Sequence, residues 1–366
     1  MKILLYVSQL SAGGAEQAAL LLASGLTELQ HKVIIVTSSL RGELVSRINE
    51  NSVTIDLASK KPIRSLRKIA HCIDNTKPDA VVCFGINTGI AAALSKFIFR
   101  WNVEIFIRNE NNLYLEWRGA NTLNRFIGPL LSRWSARRSH MIAVSHSLAK
   151  ATADYLHLAH GKVAAILNPV LDDTTLRRIP LKPTLHPWLQ DPSIPTFVAM
   201  GRLEYQKGFD ILVNAFAQVR RHVHVRLVIF GNGRLRGALQ AQIDACGLHN
   251  DAVLAGFTSD PIVQMHAAHA FVLSSRFEGF GLVLVEALWS GTRVISTDCD
   301  FGPAEVLEEG RFGTLVPVND VNALAAAILA SINQPRIIQR PPDRWFEQFT
   351  ATQAARQHVT LIESLR

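Results

Sequence analysis

The sequence predicts an α/β protein built from two doubly wound domains that face each other. Two observations carry this reading. Short runs that are apolar throughout alternate with helical patterns, which indicates parallel sheets covered on both faces. That alternation then stops once, across a proline-dense stretch, and resumes beyond it. At 366 residues the chain is too long for one small core and suits two domains of ordinary size.

In the first half the expected strands are 3-ILLYVS-8, 33-VIIVTS-38, 80-AVVCF-84, 103-VEIFI-107 and 141-MIAVS-145, with helical stretches such as 15-AEQAALLLASGLTELQ-30 following several of them. Residues 169–195 then hold six of the fifteen prolines, a density that opposes regular structure and suits a linker. The second series runs 196-TFVAMG-201, 225-VRLVIFG-231, 252-AVLAGF-257, 270-AFVLSS-275, 293-RVISTD-298 and 314-TLVPV-318. The expected boundaries are a first domain over 1–170, a linker over 171–195 and a second domain over 196–344. A helical tail over about 345–366 could pack on either domain.

A hydrophobic content of 48% with 19% charged residues describes a globular chain, and the whole of the +8 excess charge lies in the N-terminal half. Basic surfaces attract nucleic acid, anionic lipid or phosphorylated substrates. No recognised nucleic-acid module accompanies this one, so nucleic-acid binding is disfavoured. The four cysteines are scattered, without metal-ligand or C-x-x-C spacing, and read as thiols of a reducing cytosol. MKILLYVSQLSAGG lacks the apolar core and cleavage site of a signal peptide, and 80-AVVCFGINTGIAAALSKFIF-99 is interrupted by Gly, Asn and Lys. The expectation is a cytoplasmic protein, soluble or peripheral on the inner face of the membrane.

Four glycine-bearing loops follow predicted strands, where open α/β sheets bind their ligands. The first, 11-SAGGAEQ-17, opens a helix whose amides can face an anion, yet it is not G-x-G-x-x-G and argues against a nicotinamide cofactor. The second, 201-GRLEYQKGFD-210, sets Arg202 and Lys207 across a turn ahead of Gly208, a cation pair suited to a diphosphate. The third, 230-FGNGRL-235, is by itself a turn. The fourth, 278-EGFGLVLVEALWSG-291, places Glu278 and Glu286 eight residues apart in an otherwise apolar run, where a carboxylate needs a partner. A helix over 279–286 would separate them by about 12 Å along its axis. That span suits the two sugar rings of a nucleotide diphosphate sugar, while a capping Glu278 and an Arg-paired Glu286 form the structural alternative. Asp298 and Asp300 read as a loop, and His266 and His269 as an ordinary helix that carries histidines without a third ligand.

Taken together, 13-GGAE-16, 144-VSHSLAK-150, 168-NPV-170, 201-GRL, 207-KG-208, 230-FGNG-233, 256-GF-257, 278-EGFGLVLVEAL-288 and 302-GPAE-305 resemble the retaining glycosyltransferases of family 4. The pieces occur in that family's order, and 297-TDCDFGPAEVL-307 looks most like members that extend lipid-linked oligosaccharides. The resemblance implies the GT-B fold, two Rossmann-like domains facing across a cleft. It implies transfer of a hexose or N-acetylhexosamine from a nucleotide diphosphate donor, UDP by family habit, with retention and without a metal or other cofactor. Arg202 and Lys207 would then neutralise the diphosphate, Glu286 would accept bonds from the ribose hydroxyls, and Glu278 would meet hydroxyls of the transferred sugar. Amides around Gly279, Phe280 and Gly281 would touch sugar and phosphate, the base would lie near Gly256 and Phe257, and Gly13 and Gly14 would leave room for diphosphate and acceptor.

One departure stands out. Many relatives carry a histidine near the transferred sugar where this chain reads 107-IRNENN-112. Arg108 and Asn109 are the expected first-domain contacts of sugar and acceptor, and Glu110 a candidate base. The basic segments 60-KKPIRSLRKIA-70 and 124-NRFIGPLLSRWSARR-138 interleave cations with apolar residues, as a surface lying on anionic membrane does. A polyprenyl-diphosphate-linked glycan is the acceptor this suggests. A GT-B epimerase and a catalytically silent nucleotide-sugar binder are the rival readings, and the sequence leaves the oligomeric state open.

Overall fold

The computed structural model describes residues 1–11, 13–48, 52–159, 161–172, 186–334 and 340–365. The chain divides into two compact units, residues 1–173 with 347–366, and residues 174–346.

The first unit runs β1 (Lys2–Val7), α1 (Gly14–Glu28), β2 (Lys32–Thr37), β3 (Val53–Asp56), α2 (Leu66–Thr76), β4 (Ala80–Phe84) and α3 (Ile86–Phe99). It continues with β5 (Glu104–Asn109), α4 (Leu113–Arg118), α5 (Thr122–Ala136), β6 (His140–Ala143), α6 (His146–Leu156) and β7 (Val163–Ala165). Its seven strands are all parallel, in the order β3-β2-β1-β4-β5-β6-β7. The central strands are buried from end to end, as β4 shows, because helices cover both faces of the sheet.

The second unit contains β8 (Thr196–Met200), α7 (Phe209–Arg220), β9 (Arg226–Phe230), α8 (Arg236–Ala245), β10 (Ala252–Gly256), α9 (Pro261–Ala267) and β11 (Ala270–Leu273). Then follow α10 (Leu282–Ser290), β12 (Arg293–Thr297), α11 (Pro303–Val306), β13 (Thr314–Val316), α12 (Val321–Ile332) and α13 (Asp343–Phe346). Its six parallel strands lie in the order β10-β9-β8-β11-β12-β13. Phe197, Phe216, Leu227, Ile229 and Val272 are among the residues of its dry core.

The last helix, α14 (Ala351–Ser364), belongs to the first unit. It lies on α1, where a side chain at Gly25 would collide with the Ala351 carbonyl at 2.2 Å. Its buried face is Ala354, Ala355, His358 and Ile362. The backbone amides of Val170 and Leu171 reach the Phe349 carbonyl at 2.8 and 3.1 Å.

All eleven strands expected from the sequence are present, and two were not foreseen. Both β3 and β7 are edge strands; β3 has no fully buried residue, so neither shows the unbroken apolar run of a central strand. Most of the proline-rich segment, residues 173–185, lies outside the described residues.

Candidate active site

Each sheet reverses its winding once, between β1 and β4 in the first unit and between β8 and β11 in the second. Ligands of doubly wound sheets bind at the carboxyl ends of the strands that flank such a reversal. The helices that follow these four strands share a feature. α1, α3, α7 and α10 are N-capped by Gly13, Gly85, Gly208 and Gly281, and no side chain caps any of them. Elsewhere Asn112, Asn121, Ser145, Asp320 and Thr350 place a side-chain oxygen on the first-turn amides of α4, α5, α6, α12 and α14. Only at Gly85 is the space beside the cap open; a Cβ would meet the Glu16 carboxylate at Gly13, the Ser274 carbonyl at Gly208 and the Leu284 side chain at Gly281, while the helix dipole favours an anion at each start.

In the second unit the loops after β8 and β11 are sewn together. The Gln206 side chain donates to the Phe277 carbonyl at 3.0 Å, the Arg276 amide to the Gln206 carbonyl at 2.7 Å, and Ser274 Oγ to the Lys207 carbonyl at 2.9 Å. Arg276 makes a two-point ion pair with Asp210, at 2.9 and 2.6 Å, and lies 4.1 Å from the Tyr205 ring centre. Gly208 is obligatory here: its φ is +60°, and a Cβ would sit 2.1 Å from the Ser274 carbonyl.

This stitching brings Lys207 Nζ to 2.6 Å from Glu278 Oε1. Ser275 Oγ donates to the same oxygen at 2.5 Å. Both charged side chains are largely buried, so the pair is a fixed dipole and not a solvated surface contact. Arg202, in the same loop, is exposed. Gly279, Phe280 and Gly281 are buried in the turn that follows, and α10 begins at Leu282. The segment 279–281 is therefore loop, and the axial rise expected of an unbroken helix over 279–286 does not hold. Glu286 lies one turn inside α10 and is buried. Gly256 ends β10 with φ +79°, and Phe257 beside it is exposed.

In the first unit, Gly13 and Gly14 form the cap and first residue of α1, as a strand-to-helix turn requires. Arg108 and Asn109, the expected first-domain contacts, lie at the end of β5. β5 extends to Asn109 in the middle of the sheet, so both side chains point into the interior, at 0% and 1% exposure. Arg108 donates to Glu110 Oε1 at 3.0 Å, to His358 Nε2 at 2.7 Å and to Asn168 Oδ1. Asn109 donates to Thr152 Oγ1 at 2.7 Å. These bonds tie both side chains to protein groups. Asn168 Nδ2 donates to Glu110 Oε2 at 3.1 Å, so both oxygens of that carboxylate are held. His358 donates from Nδ1 to the Ala354 carbonyl at 2.7 Å and so offers Nε2 to Arg108, a neutral tautomer. Burial and the neighbouring guanidinium depress its pKa to about 3.

One group at this sheet end was not foreseen. Glu116 on α4 accepts from the Asn87 amide at 3.1 Å, and burial raises its pKa to about 7. Its sequence neighbourhood, LYLEWR, carries no motif that marks it; only the fold sets it beside the start of α3.

Among the described residues no group of three or more His, Cys, Asp or Glu is gathered as for a metal. His266 and His269 bond to separate carbonyls, of Ser290 and Ser331, and His269 lies beyond the end of α9. Asp298 and Asp300 lie in the loop after β12. All four cysteines are free, and Cys72, Cys83 and Cys299 are buried. No helix among the described residues is long and apolar enough to cross a membrane.

Two family models together match most of the chain. Glycosyltransferase Family 4 covers residues 12–174, and Glycosyl transferases group 1 covers residues 188–345. The chain belongs to the family-4 glycosyltransferases of GT-B fold. It is similar to Anabaena HepE, solved in complex with UDP and glucose, with a TM-score of 0.81 at 20% identity over 100% of both chains. It is likewise similar to sucrose-phosphate synthase of Thermosynechococcus elongatus, with a TM-score of 0.79 at 19% identity over 100% and 99% of the two chains. In sequence it is 31% identical over 140 residues to the N-acetylgalactosamine-N,N'-diacetylbacillosaminyl-diphospho-undecaprenol 4-alpha-N-acetylgalactosaminyltransferase of Campylobacter jejuni, 38% of each chain. An uncharacterized glycosyltransferase of Methanocaldococcus jannaschii is 38% identical over 112 residues, 30% of this chain and 28% of that one. These matches span well under half the length of the curated relatives.

Proposed function

We propose that this family-4 chain transfers a hexose or N-acetylhexosamine, with retention, from a UDP-linked donor to a polyprenyl-diphosphate-linked glycan or a related surface-polysaccharide precursor. The observation that carries this reading is the Lys207–Glu278 pair at the winding reversal of the second sheet, next to the glycine-capped start of α10.

Departure of the donor's diphosphate from the sugar builds positive charge on the sugar carbon and negative charge on the leaving phosphate. A fixed ammonium–carboxylate pair whose dipole runs along that separation stabilises it without reorganising. Lys207 has three N–H donors and spends one on Glu278, leaving two for the diphosphate. Glu278 meets hydroxyls of the moving sugar, and Arg202 with the amides of Gly279, Phe280 and Gly281 adds to the anion site. Glu286 takes the ribose hydroxyls and Gly256–Phe257 the base. Gly13 and Gly14 admit the acceptor at the α1 terminus once the Glu16 side chain, which lies against Gly13, turns aside. The leaving phosphate takes the acceptor proton, which is consistent with a Glu110 carboxylate already engaged at both oxygens.

UDP is favoured because HepE was crystallised with UDP and glucose. A lipid diphosphate acceptor is favoured by the name of the Campylobacter jejuni relative. A thermal-shift panel of nucleotide diphosphate sugars tests the donor, since a ligand that binds only the folded state raises Tm with its affinity. Product analysis with an undecaprenyl-diphosphate-linked acceptor, with the anomer read by NMR, tests the rest. No Tm rise with any nucleotide sugar, or a β-linked product, refutes the reading.

A further inference from the structure

Helix α5 is amphipathic the wrong way round for a soluble protein. It turns Gly128, Ser132, Ser135 and Ala136 inward. Gly128 sits under the Trp117 ring, where a Cβ would come within 2.2 Å of a ring carbon, and Trp117 Nε1 donates to Ser132 Oγ at 3.1 Å. Those contacts fix the helix's rotation, and the large apolar side chains are left outside. Leu123, Phe126 and Leu130 are 67%, 70% and 64% exposed, with Ile127 beside them at 42%. Their spacing of three, four and seven residues puts them on one face.

The patch continues onto the end of α3. Phe97 is 63% exposed and meets Trp134 of α5 edge to face at 5.7 Å, and Ile98 and Phe99 follow it. Among the described residues, eight of the fourteen exposed large apolar side chains lie between Phe97 and Leu130. A contiguous apolar surface of this kind marks an interaction site. Its surroundings select the partner. From Trp117 to Ala153 the chain contains no Asp or Glu, while Arg118, Arg125, Arg137 and Arg138 are exposed around the patch.

We infer that the α5 face and the end of α3 dock onto an anionic lipid bilayer, with Phe126 and its neighbours at the headgroup boundary and the arginines on lipid phosphates. The other basic segment, residues 60–70, exposes one large apolar side chain, Ile63, and so offers no comparable apolar face. α2 buries Ile69, Ala70, Cys72 and Ile73 in the ordinary way, and Lys68 is tied to the Leu57 carbonyl at 2.5 Å. The inference deepens the lipid-linked acceptor reading, but it rests on separate residues and fails separately from it.

The test is vesicle co-sedimentation of the full chain with neutral phosphatidylcholine and with 30 mol% phosphatidylglycerol. Wild type partitions onto the anionic vesicles and is released by salt. At roughly fivefold per arginine near an anionic surface, Arg125→Gln/Arg137→Gln/Arg138→Gln weakens binding about a hundredfold. Phe126→Asp/Leu130→Asp abolishes it while leaving the Tm rise caused by the donor unchanged. Equal binding to neutral vesicles, no binding at low salt, or binding unaffected by these changes overturns the inference. So does a wild-type dimer in sedimentation velocity that Phe126→Asp/Leu130→Asp disperses, since a second copy would then cover the patch.

Discussion

Replacing Lys207 by Met tests whether Glu278 is held as a charge by its partner. Both side chains are largely buried, and the contact is 2.6 Å. Removing one member of such a pair typically costs about 3–5 kcal/mol, because the other is left buried and unpaired. The cost has a ceiling, since the abandoned carboxyl can take a proton. For an ordinary glutamate near 4.3, protonation at pH 7 costs about 3.7 kcal/mol, at about 1.4 kcal/mol per pH unit. Ser275 Oγ stays within 2.5 Å and softens the loss further. The expected destabilisation is therefore about 3 kcal/mol at pH 7. Lys207→Met/Glu278→Gln removes the stranded charge and returns to within about 1 kcal/mol of wild type. Denaturant melts at pH 7 measure this, with hydrogen exchange of β8 and β11 amides reporting the second unit. A loss under about 1 kcal/mol, or a double variant as unstable as the single, refutes the argument. Turnover should behave in parallel: each single change lowers it about 10²–10³-fold, and the pair of changes costs little more than one.

Other consequences are open to direct measurement. Arg108→Met leaves Glu110 and Asn168 without their shared donor and should cost about 3–5 kcal/mol by urea melt, with no change in donor-induced Tm shift once folded. His358, depressed to about 3, contributes stability that is present above the unfolded pKa near 6.5 and is lost as pH falls towards 3; His358→Gln should flatten that acid limb in Tm-versus-pH scans. Glu116, raised to about 7, has the opposite sign: its folded form holds the proton between about 4.3 and 7, so stability falls with rising pH there, and Glu116→Gln should raise Tm at pH 8 but not at pH 4. Gly208→Ala forces a Cβ against the Ser274 carbonyl and should lower Tm and abolish the Tm rise given by UDP alone, whereas Gly237→Ala, with nothing within 4 Å, should do neither.

How much of this was legible in the sequence depended on what kind of signal each element carries. Central strands announce themselves because both faces are buried, and runs such as AVVCF and TFVAM have no polar face to disguise them. β3, with Val53 exposed and Asp56 at its end, carries no such mark. The glycine loops were legible because tight turns and close backbone approach demand glycine. Lys207 and Glu278 were found separately from those loops, yet their mutual contact was not, because it depends on β8 and β11 being neighbours across 71 residues. The inward turn of Arg108 was invisible for the same reason: its partners are Asn168 and His358, and the second of these is 250 residues away. Patterning could not separate the two basic segments. Both alternate cations with apolar residues, but only the packing of Gly128 beneath Trp117 shows which way α5 faces.

The Arg-Asn-Glu segment that stands where many relatives have a histidine therefore has a physical logic of its own. A fully buried guanidinium needs counter-charge and acceptors on every side, and here each comes from a different part of the first unit: Glu110 from the strand's own end, Asn168 from the Asn-Pro-Val turn, and His358 from the returning α14. His358 can serve only while neutral, and burial keeps it so. The chain's final helix thus closes a network that fixes the Glu110 carboxylate at the carboxyl end of β5 and, through it, the start of the loop that leads to α4, Glu116 and Asn87. A histidine supplied from the strand end would offer one ring to a ligand and no such tie to α14. Arg108 is thus tied to three protein partners, and Asn87 and Glu116 meet beside the start of α3.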